Sequence, residues 1–135
     1  MRLLLDTHLA VWWLIRSQRV PVEARELVES AADPVAISRV SLWEMAIKIS
    51  TGKLEIDLPR FVKMAEASGF EWLDIKNEHL LAVATLPLFD DHRDPFDRLL
   101  VAQSQTEPLV LLTSDAKLAR YGTTVYGGPL SQDNF

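Results

Sequence analysis

The chain opens with a short apolar run that stops abruptly at two polar residues: residues 2–7 read Arg-Leu-Leu-Leu-Asp-Thr. A strand buried in a parallel sheet has this pattern, with a polar residue where the strand leaves the sheet. Similar runs recur at residues 35–37, 70–75, 109–112 and 124–126. We therefore predict a sheet of four to five short strands.

The segments between these runs carry apolar residues at helical spacing. We predict helices at residues 9–15, from 21–22 up to the Asp33-Pro34 break, and at 39–49, 58–67, 77–85, 94–106 and 115–120. Strands that alternate with amphipathic helices indicate βαβ units, and right-handed crossovers between them give a doubly wound sheet. The expected fold is a three-layer α/β/α domain over residues 1–126 with a central, mainly parallel sheet. Residues 127–135 are expected to form a loose C-terminal tail.

Composition excludes several classes of function. The 135 residues include no cysteine, which rules out a disulfide framework, a thiolate metal site and a cysteine nucleophile, and fits a reducing cytosol. The apolar segment at residues 9–15 is too short to span a bilayer, so we expect a cytoplasmic protein without membrane contact. The net charge of −5 is unusual for a nucleic-acid binder, which would need a local basic patch or bound cations here.

Four acidic side chains fall where ligands bind in this fold. Asp6 follows the first predicted strand and Asp115 follows the fourth, while Glu44 and Asp97 lie on helices beside apolar neighbours. Ligands of doubly wound sheets sit outside the carboxyl ends of the strands, near the point where strand order reverses. The positions of these four acids therefore predict a shared site at that edge.

Each acid also has a purely structural interpretation. Glu44 fits a capping box with Ser41 or an ion pair with Lys48, Asp97 suits the positive end of its helix dipole, and the other two suit turns or helix starts. Four carboxylates brought together, however, would repel one another unless a cation neutralised them. A hard divalent cation such as Mg²⁺ or Mn²⁺ fits oxygen ligands, and it supports in-line attack of water at phosphorus.

Residues 92–98 read His-Arg-Asp-Pro-Phe-Asp-Arg and combine both interpretations. Asp94 is predicted as the N-cap of a helix and Pro95 as its first residue. The cap would fix the first turn and aim Asp97 across the strand ends toward Asp6. The structural role of Asp94 thus supplies the geometry that a functional role of Asp97 requires.

Taken together, four motifs resemble those of a known family. Residues 4–8, 38–44, 92–103 and 112–115 resemble the four acidic motifs of the PIN domain, most closely as found in VapC-type toxins of bacterial type II toxin–antitoxin pairs. The resemblance runs from residue 2 to about residue 126, and the order and spacing of the motifs are specific. His8 and Ser104 depart slightly from the family pattern.

The resemblance implies a Mg²⁺- or Mn²⁺-dependent endoribonuclease that hydrolyses RNA, acts as a toxin and is neutralised by a cognate antitoxin. A homodimer is implied as well. By motif position Asp6 and Asp97 would be the principal metal ligands, and Glu44 and Asp115 would complete the catalytic site directly or through water.

Weaker candidates surround these acids. They are expected to hold water, substrate or phosphate: Thr7, His8, Arg93, Arg98, Thr113 and Ser114. The alternatives are surface ion pairs for the arginines and a structural role for each histidine, including His79 and His92. A basic rim is a further hypothesis, made of Arg16, Arg39, Lys48, Lys53 and Lys117. Trp12, Trp13 and Trp43 are expected either in the core or as anchors for an amphipathic segment of a partner.

Three other functions remain open from sequence alone. The first is a PIN-type RNA-processing nuclease without a toxin role. The second is a receiver-like signalling module in which Asp74 accepts a phosphoryl group, although paired acids after the first strand and a late lysine are lacking. The third is an interaction subunit without activity, which the presence of all four acids disfavours.

Overall fold

A computed structural model describes residues 2–122 and 125–126, and it contains five short strands. They are β1 Leu3–Leu5, β2 Ala36–Ser38, β3 Glu71–Leu73, β4 Val110–Leu112 and β5 Val125–Tyr126. All four pairings are parallel, and the strand order is β3-β2-β1-β4-β5. The predicted parallel sheet is confirmed, and it has five strands where four to five were expected.

Six α-helices and one 3₁₀ helix connect the strands in the described ranges. They are α1 Thr7–Leu14, α2 Val22–Glu29, α3 Arg39–Ser50, α4 Leu58–Ala67, α5 Asn77–Val83 and α6 Pro95–Thr106, with the 3₁₀ helix at Ala116–Tyr121. No helix in the part of the chain that the structure describes is long and apolar enough to cross a membrane.

Two apolar layers enclose the sheet. Leu3 and Leu5 belong to one cluster and Leu4 to the other, because successive strand side chains point to opposite faces. The first cluster includes Met45 of α3 and reaches α4, while the second is built largely on α6. The predicted three-layer α/β/α architecture is therefore confirmed.

Strand order places the switch point between β1 and β4. The chain proceeds outward from β1 to β2 and β3, and then returns to β4 and β5 on the other side of β1. Leu5 pairs in register with Leu112, so the residues that follow the two strands leave the sheet side by side. The first and fourth acidic motifs consequently meet at one edge.

Most element boundaries agree with the prediction, and the differences have local causes. Helix α1 begins two residues earlier than expected because Asp6 caps it, and the chain leaves it through Arg16 at a φ of 57°. The third strand is half the predicted length, with its first residue exposed. Residues 123–124 and the predicted tail at 127–135 lie outside the described residues, so that domain boundary stays a prediction.

The tryptophans do not share one environment. Trp12 and Trp13 are partly buried against the first cluster. Trp43 is 52% exposed and meets only the edge of Phe96, at a centroid distance of 4.9 Å among the described ring contacts. The core interpretation is therefore wrong for Trp43, because α3 turns that residue outward.

Candidate active site

Asp6 is held in place from two sides. Its Oδ1 accepts a hydrogen bond from the Leu9 N–H at 2.8 Å, as the N-cap of α1, and its Oδ2 accepts one from the Thr113 hydroxyl. Its side chain is almost wholly buried at the end of β1. Burial raises the pKa of Asp6, although the two hydrogen bonds oppose that shift. The two hydrogen bonds therefore orient the Asp6 carboxylate, but they do not offset the cost of burying its negative charge.

Asp97 is aimed by the cap that precedes it. Asp94 Oδ1 accepts from the N–H groups of Phe96 and Asp97 at 2.9 and 3.0 Å, which confirms its predicted role as N-cap. The pKa of Asp97 is raised to about 6, mainly by burial and to a lesser extent by the negative charges of Asp94 and Asp6. The repulsion from Asp6 reflects the proximity that the sequence predicted.

Glu44 reaches the same region from the inner face of α3. Its Oε2 accepts from the Lys48 Nζ at 2.6 Å, which confirms the ion pair proposed from the i,i+4 spacing. Ser41 is engaged elsewhere, accepting the Thr7 hydroxyl at 2.9 Å. The other oxygen of Glu44, Oε1, is buried without a hydrogen-bond partner. Such an atom is costly unless an electropositive ligand meets it.

Asp115 completes the group of acids from the other side of β1. It caps the 3₁₀ helix, with Oδ1 accepting from the Lys117 N–H at 3.0 Å. One ligand atom each from His92, Asp97 and Asp115 lie within 4.8 Å of one another. Asp6 and Glu44 lie outside this group, but Glu44 contributes to the raised pKa of both Asp6 and Asp97. The charges of Asp6, Glu44 and Asp97 therefore act on one another, and His92, Asp97 and Asp115 lie closest together.

This arrangement is suited to holding a divalent cation. Buried Asp6 and half-buried Asp97 have raised pKa values, and Glu44 offers an unpartnered oxygen, so a positive charge placed here would stabilise all three carboxylates. Carboxylate oxygens are the ligands that Mg²⁺ and Mn²⁺ prefer.

The residues predicted to hold water, substrate or phosphate fall into two groups, one buried and structural and the other at the surface. Thr7 and Thr113 are buried and bond other site residues, so they brace the site. Arg98 is 8% exposed and donates to the Pro87 carbonyl and the Tyr121 hydroxyl, which is a structural environment and not that of a phosphate clamp. Arg93 is exposed and pairs with Asp90, as its surface interpretation expected.

The remaining candidates lie at the periphery. His8 is exposed and its ring is 5.9 Å from that of Trp12, while Ser114 is half-buried beside Asp115. In the hypothetical basic rim, Lys48 is paired with Glu44 and Arg39 with Asp74. Those two cations are therefore already engaged.

Sequence reasoning underrated one residue of the site. His92 was expected to be a structural or surface residue that flanks the site and could contact RNA, but a direct contact with Asp97 was not expected. It is 6% exposed, and its Nε2 lies 3.2 Å from Asp97 Oδ2. Its only signal in the sequence was its place five residues before Asp97. The hydrogen bond forms because the loop before α6 folds back toward the first turn of that helix, and the local sequence pattern does not predict this conformation.

The PIN domain family model matches residues 3–123 of this chain, which is most of its length. The chain belongs to the PIN domain family. The resemblance found in the four acidic motifs is thereby confirmed, and the family match covers β1 and β4, the strands that precede Asp6 and Asp115.

Relatives of known description agree with this assignment. The chain is 27% identical over 124 residues to Ribonuclease VapC22 of Mycobacterium tuberculosis (strain ATCC 25618 / H37Rv), covering 85% of this chain and 88% of the relative. VapBC2 from Rickettsia felis, solved bound to a DNA fragment from their promoter, matches with a TM-score of 0.68 at 17% identity, covering 94% of this chain and 98% of that one. A toxin–antitoxin complex from Klebsiella pneumoniae matches with a TM-score of 0.64 at 23% identity, covering 91% and 94%. At these identities the solved structures support the PIN fold.

Proposed function

We propose that this PIN domain is a divalent-metal-dependent endoribonuclease that hydrolyses RNA phosphodiester bonds and acts as the toxin of a toxin–antitoxin pair. The observation that carries the proposal is the acidic edge itself, where Asp6 and Asp97 have raised pKa values and Glu44 Oε1 is buried without a partner. The relative named Ribonuclease VapC22 supports RNA as the substrate. A homodimer remains a prediction of the resemblance.

The cation would be held by Asp6, Asp97, Glu44 and Asp115, and Mg²⁺ or Mn²⁺ fits their oxygen donors. When bound, it supplies the positive charge that lets an acidic edge accept a phosphodiester and stabilises charge that develops at phosphorus. The chain itself supplies orientation. Thr113 and the N-terminus of α1 hold Asp6, and Asp94 holds Asp97 through the first turn of α6.

The test is expression in bacterial cells followed by sequencing of RNA ends. We expect growth arrest together with new RNA ends at one or a few sites, because hydrolysis by a toxin should be selective. The Asp97→Asn variant, which keeps its size and loses its charge, should give neither. Unchanged RNA ends in cells that express the parent chain would contradict the proposal. New ends without growth arrest would favour a processing nuclease instead.

The receiver-like alternative receives no support from the position of Asp74. That residue follows β3, an edge strand, and its side chain is 73% exposed and paired with Arg39 at 3.1 Å. It lies on the far side of β2 from the switch point between β1 and β4.

We propose that an antitoxin segment binds beside α1. A groove of about 480 Å³ runs between the end of α1 and α4, and it is lined by apolar Leu14, Ile15 and Met64 together with Arg16 and Arg60. An adjoining cavity of about 430 Å³ is lined by Trp12 and Trp13. Apolar walls with charged ends suit an amphipathic segment, as the tryptophan pattern suggested.

We expect Ile15→Glu to weaken antitoxin binding strongly, because Ile15 is 56% exposed and lines the groove. The measurement is capture with the tagged Asp97→Asn chain from cells of its own source, followed by mass spectrometry. The parent surface should retain one small protein in stoichiometric amount, and Ile15→Glu should lose it. Leu81→Glu is the matched control, since Leu81 is 72% exposed and lies on α5 outside the groove. Equal retention by both variants would place the partner elsewhere.

A further inference from the structure

We propose that His92 is a positioning residue for Asp97, and that Tyr121 and Arg98 lock its imidazole in the orientation that this requires. The proposal rests on the metal site put forward above. Its starting point is a chain of contacts: His92 Nε2 lies 3.2 Å from Asp97 Oδ2, and His92 Nδ1 lies 2.8 Å from the Tyr121 hydroxyl. His92 and Tyr121 are both buried.

Tyr121 is itself fixed from several sides. Its hydroxyl accepts a hydrogen bond from Arg98 Nη1 at 3.3 Å, and its ring meets the edges of His92 and Phe89 at centroid distances of 5.4 and 5.1 Å. Arg98 also donates to the Pro87 carbonyl at 2.8 Å, and the His92 N–H donates to the Phe89 carbonyl at 3.1 Å. The loop before α6 is thus tied to the 3₁₀ helix through His92.

These contacts select one tautomer of the imidazole. The Tyr121 hydroxyl accepts from Arg98 and has two acceptors within reach of its own proton, His92 Nδ1 at 2.8 Å and the His92 carbonyl at 3.4 Å. The shorter contact favours donation to Nδ1. The imidazole proton then resides on Nε2 and is donated to Asp97 Oδ2. In this arrangement His92 presents a donor to the carboxylate and not a lone pair to the cation, so it acts through Asp97.

A bond of this kind matters because carboxylate ligands need to be oriented. Residues that hydrogen-bond a metal ligand fix its direction, and their loss typically lowers metal affinity by roughly 10- to 100-fold. The backbone N–H of Asp97 is held by Asp94, whereas its carboxylate is held by His92. Without His92 the carboxylate would be free to rotate about its side-chain torsion angles.

The chain offers a matched comparison outside the proposed site. His79 on α5 is also fully buried, its Nδ1 accepts from the Lys76 N–H at 3.0 Å, and its Nε2 lies 2.7 Å from Glu107 Oε2. It forms the same kind of histidine–carboxylate pair, but none of the four proposed ligands takes part in it. Variants at His79 therefore report the stability cost of losing such a pair.

The first experiment is nitrogen-15 NMR of the histidine side chains, at a pH above 7 where Asp97 is ionised. We expect His92 to be the neutral tautomer with its proton on Nε2 in metal-free protein, and to remain so when Mg²⁺ is added to saturation. A proton on Nδ1 in metal-free protein would overturn the hydrogen bond on which the proposal depends. Loss of the Nε2 proton on addition of Mg²⁺ would make His92 a direct ligand and overturn the positioning role.

The second experiment measures Mg²⁺ and Mn²⁺ affinity by isothermal titration calorimetry. We expect His92→Phe, which keeps an aromatic ring but has no donor, to bind the cation about tenfold more weakly. His92→Gln should recover part of the affinity because its amide can donate to Asp97. Tyr121→Phe should weaken binding less than His92→Phe does, since it removes only the group that holds the ring.

The control variant, His79→Phe, should lose thermal stability without a change in cation affinity at the acidic edge. One ligand atom each from Glu78, His79 and Glu107 also lie within 4.8 Å of one another, so Asp97→Asn is titrated beside it to identify the heat that belongs to the acidic edge. Parental affinity in His92→Phe would overturn the proposal. A parent chain that binds neither cation would instead contradict the proposed metal site, and the tautomer of metal-free protein would still decide whether His92 orients Asp97.

Discussion

The Asp97→Asn variant is expected to cleave RNA on the order of 10³-fold more slowly than the parent chain when Mg²⁺ is present. Asparagine keeps the size of the side chain and still accepts a hydrogen bond from His92 Nε2, so the fold should be unchanged. What it loses is a negatively charged ligand, and a cation held by such ligands supplies several kcal/mol of transition-state stabilisation. The measurement is kcat/KM on a labelled RNA that contains the site mapped in cells.

Asp94 supplies the matched control for that measurement. It lies three residues before Asp97 and carries the same charge, but both of its observed bonds go to backbone N–H groups. Asp94→Ala should cost about 1 kcal/mol of stability through loss of the cap and reduce cleavage less than Asp97→Asn does. Asp94→Asn, which preserves a capping side chain, should resemble the parent. A loss at Asp94 equal to or greater than that at Asp97 would place Asp94 on the metal.

Metal-free Asp97→Asn protein is expected to be more stable than the metal-free parent above pH 6. The pKa of Asp97 is raised from 3.8 to about 6 by burial and by the neighbouring acids, and such a shift corresponds to about 3 kcal/mol. Because the folded protein binds the proton more tightly than the unfolded chain does, the stability of the parent falls as the pH rises from about 4 to about 6. The asparagine variant carries no such penalty.

Urea denaturation in the presence of a chelator, at several pH values, gives the free energy of unfolding of both proteins. Their difference should be near zero at pH 4 and approach its full value, in favour of the variant, at pH 7. Added Mg²⁺ at 1,000 times its Kd should reverse the order, since it stabilises the folded parent by about 4.1 kcal/mol, which exceeds the penalty of about 3 kcal/mol. A difference that does not depend on pH would contradict the assignment of the raised pKa to Asp97.

Glu107→Gln provides a control of opposite sign. Hydrogen bonds from His79 and Lys76 lower the pKa of Glu107, so its carboxylate contributes stability that is present above its unfolded pKa and is lost as the pH falls. Removing that charge should therefore flatten the acid side of the stability curve. The opposite pH dependence of the two variants therefore distinguishes the destabilising charge of Asp97 from the stabilising ion pair of Glu107.

Local sequence rules predicted much of this molecule because the relevant interactions are local. The caps at Ser38, Asp94 and Asp115 and the i,i+4 pair of Glu44 with Lys48 each involve residues within four positions of one another. Strand positions were visible because buried parallel strands are apolar throughout. The placement of Asp6 and Asp115 after two adjacent strands followed from the topology of a doubly wound sheet.

Features that depend on packing across the fold were not visible from sequence. The bond of Ser38 to Gln103 at 2.6 Å joins the end of β2 to α6 across 65 residues, and that of His92 to Tyr121 spans 29 residues. The outward turn of Trp43 and the burial of Arg98 likewise depend on which neighbours reach them. Residue type alone left Trp43 either in the core or exposed as an anchor, and charge alone placed Arg98 at the surface or on phosphate.

The hydrogen bond between Asp6 and Thr113 joins residues 107 positions apart, and it has a consequence for the synthesis of the protein. Asp6 leaves the ribosome early, but the strand that carries Thr113 and Asp115 beside it is made near the end of translation. A nascent chain released before β4 would contain three of the four acids without the surface on which they assemble. Prematurely terminated copies should therefore be harmless to the cell that makes them, however many accumulate.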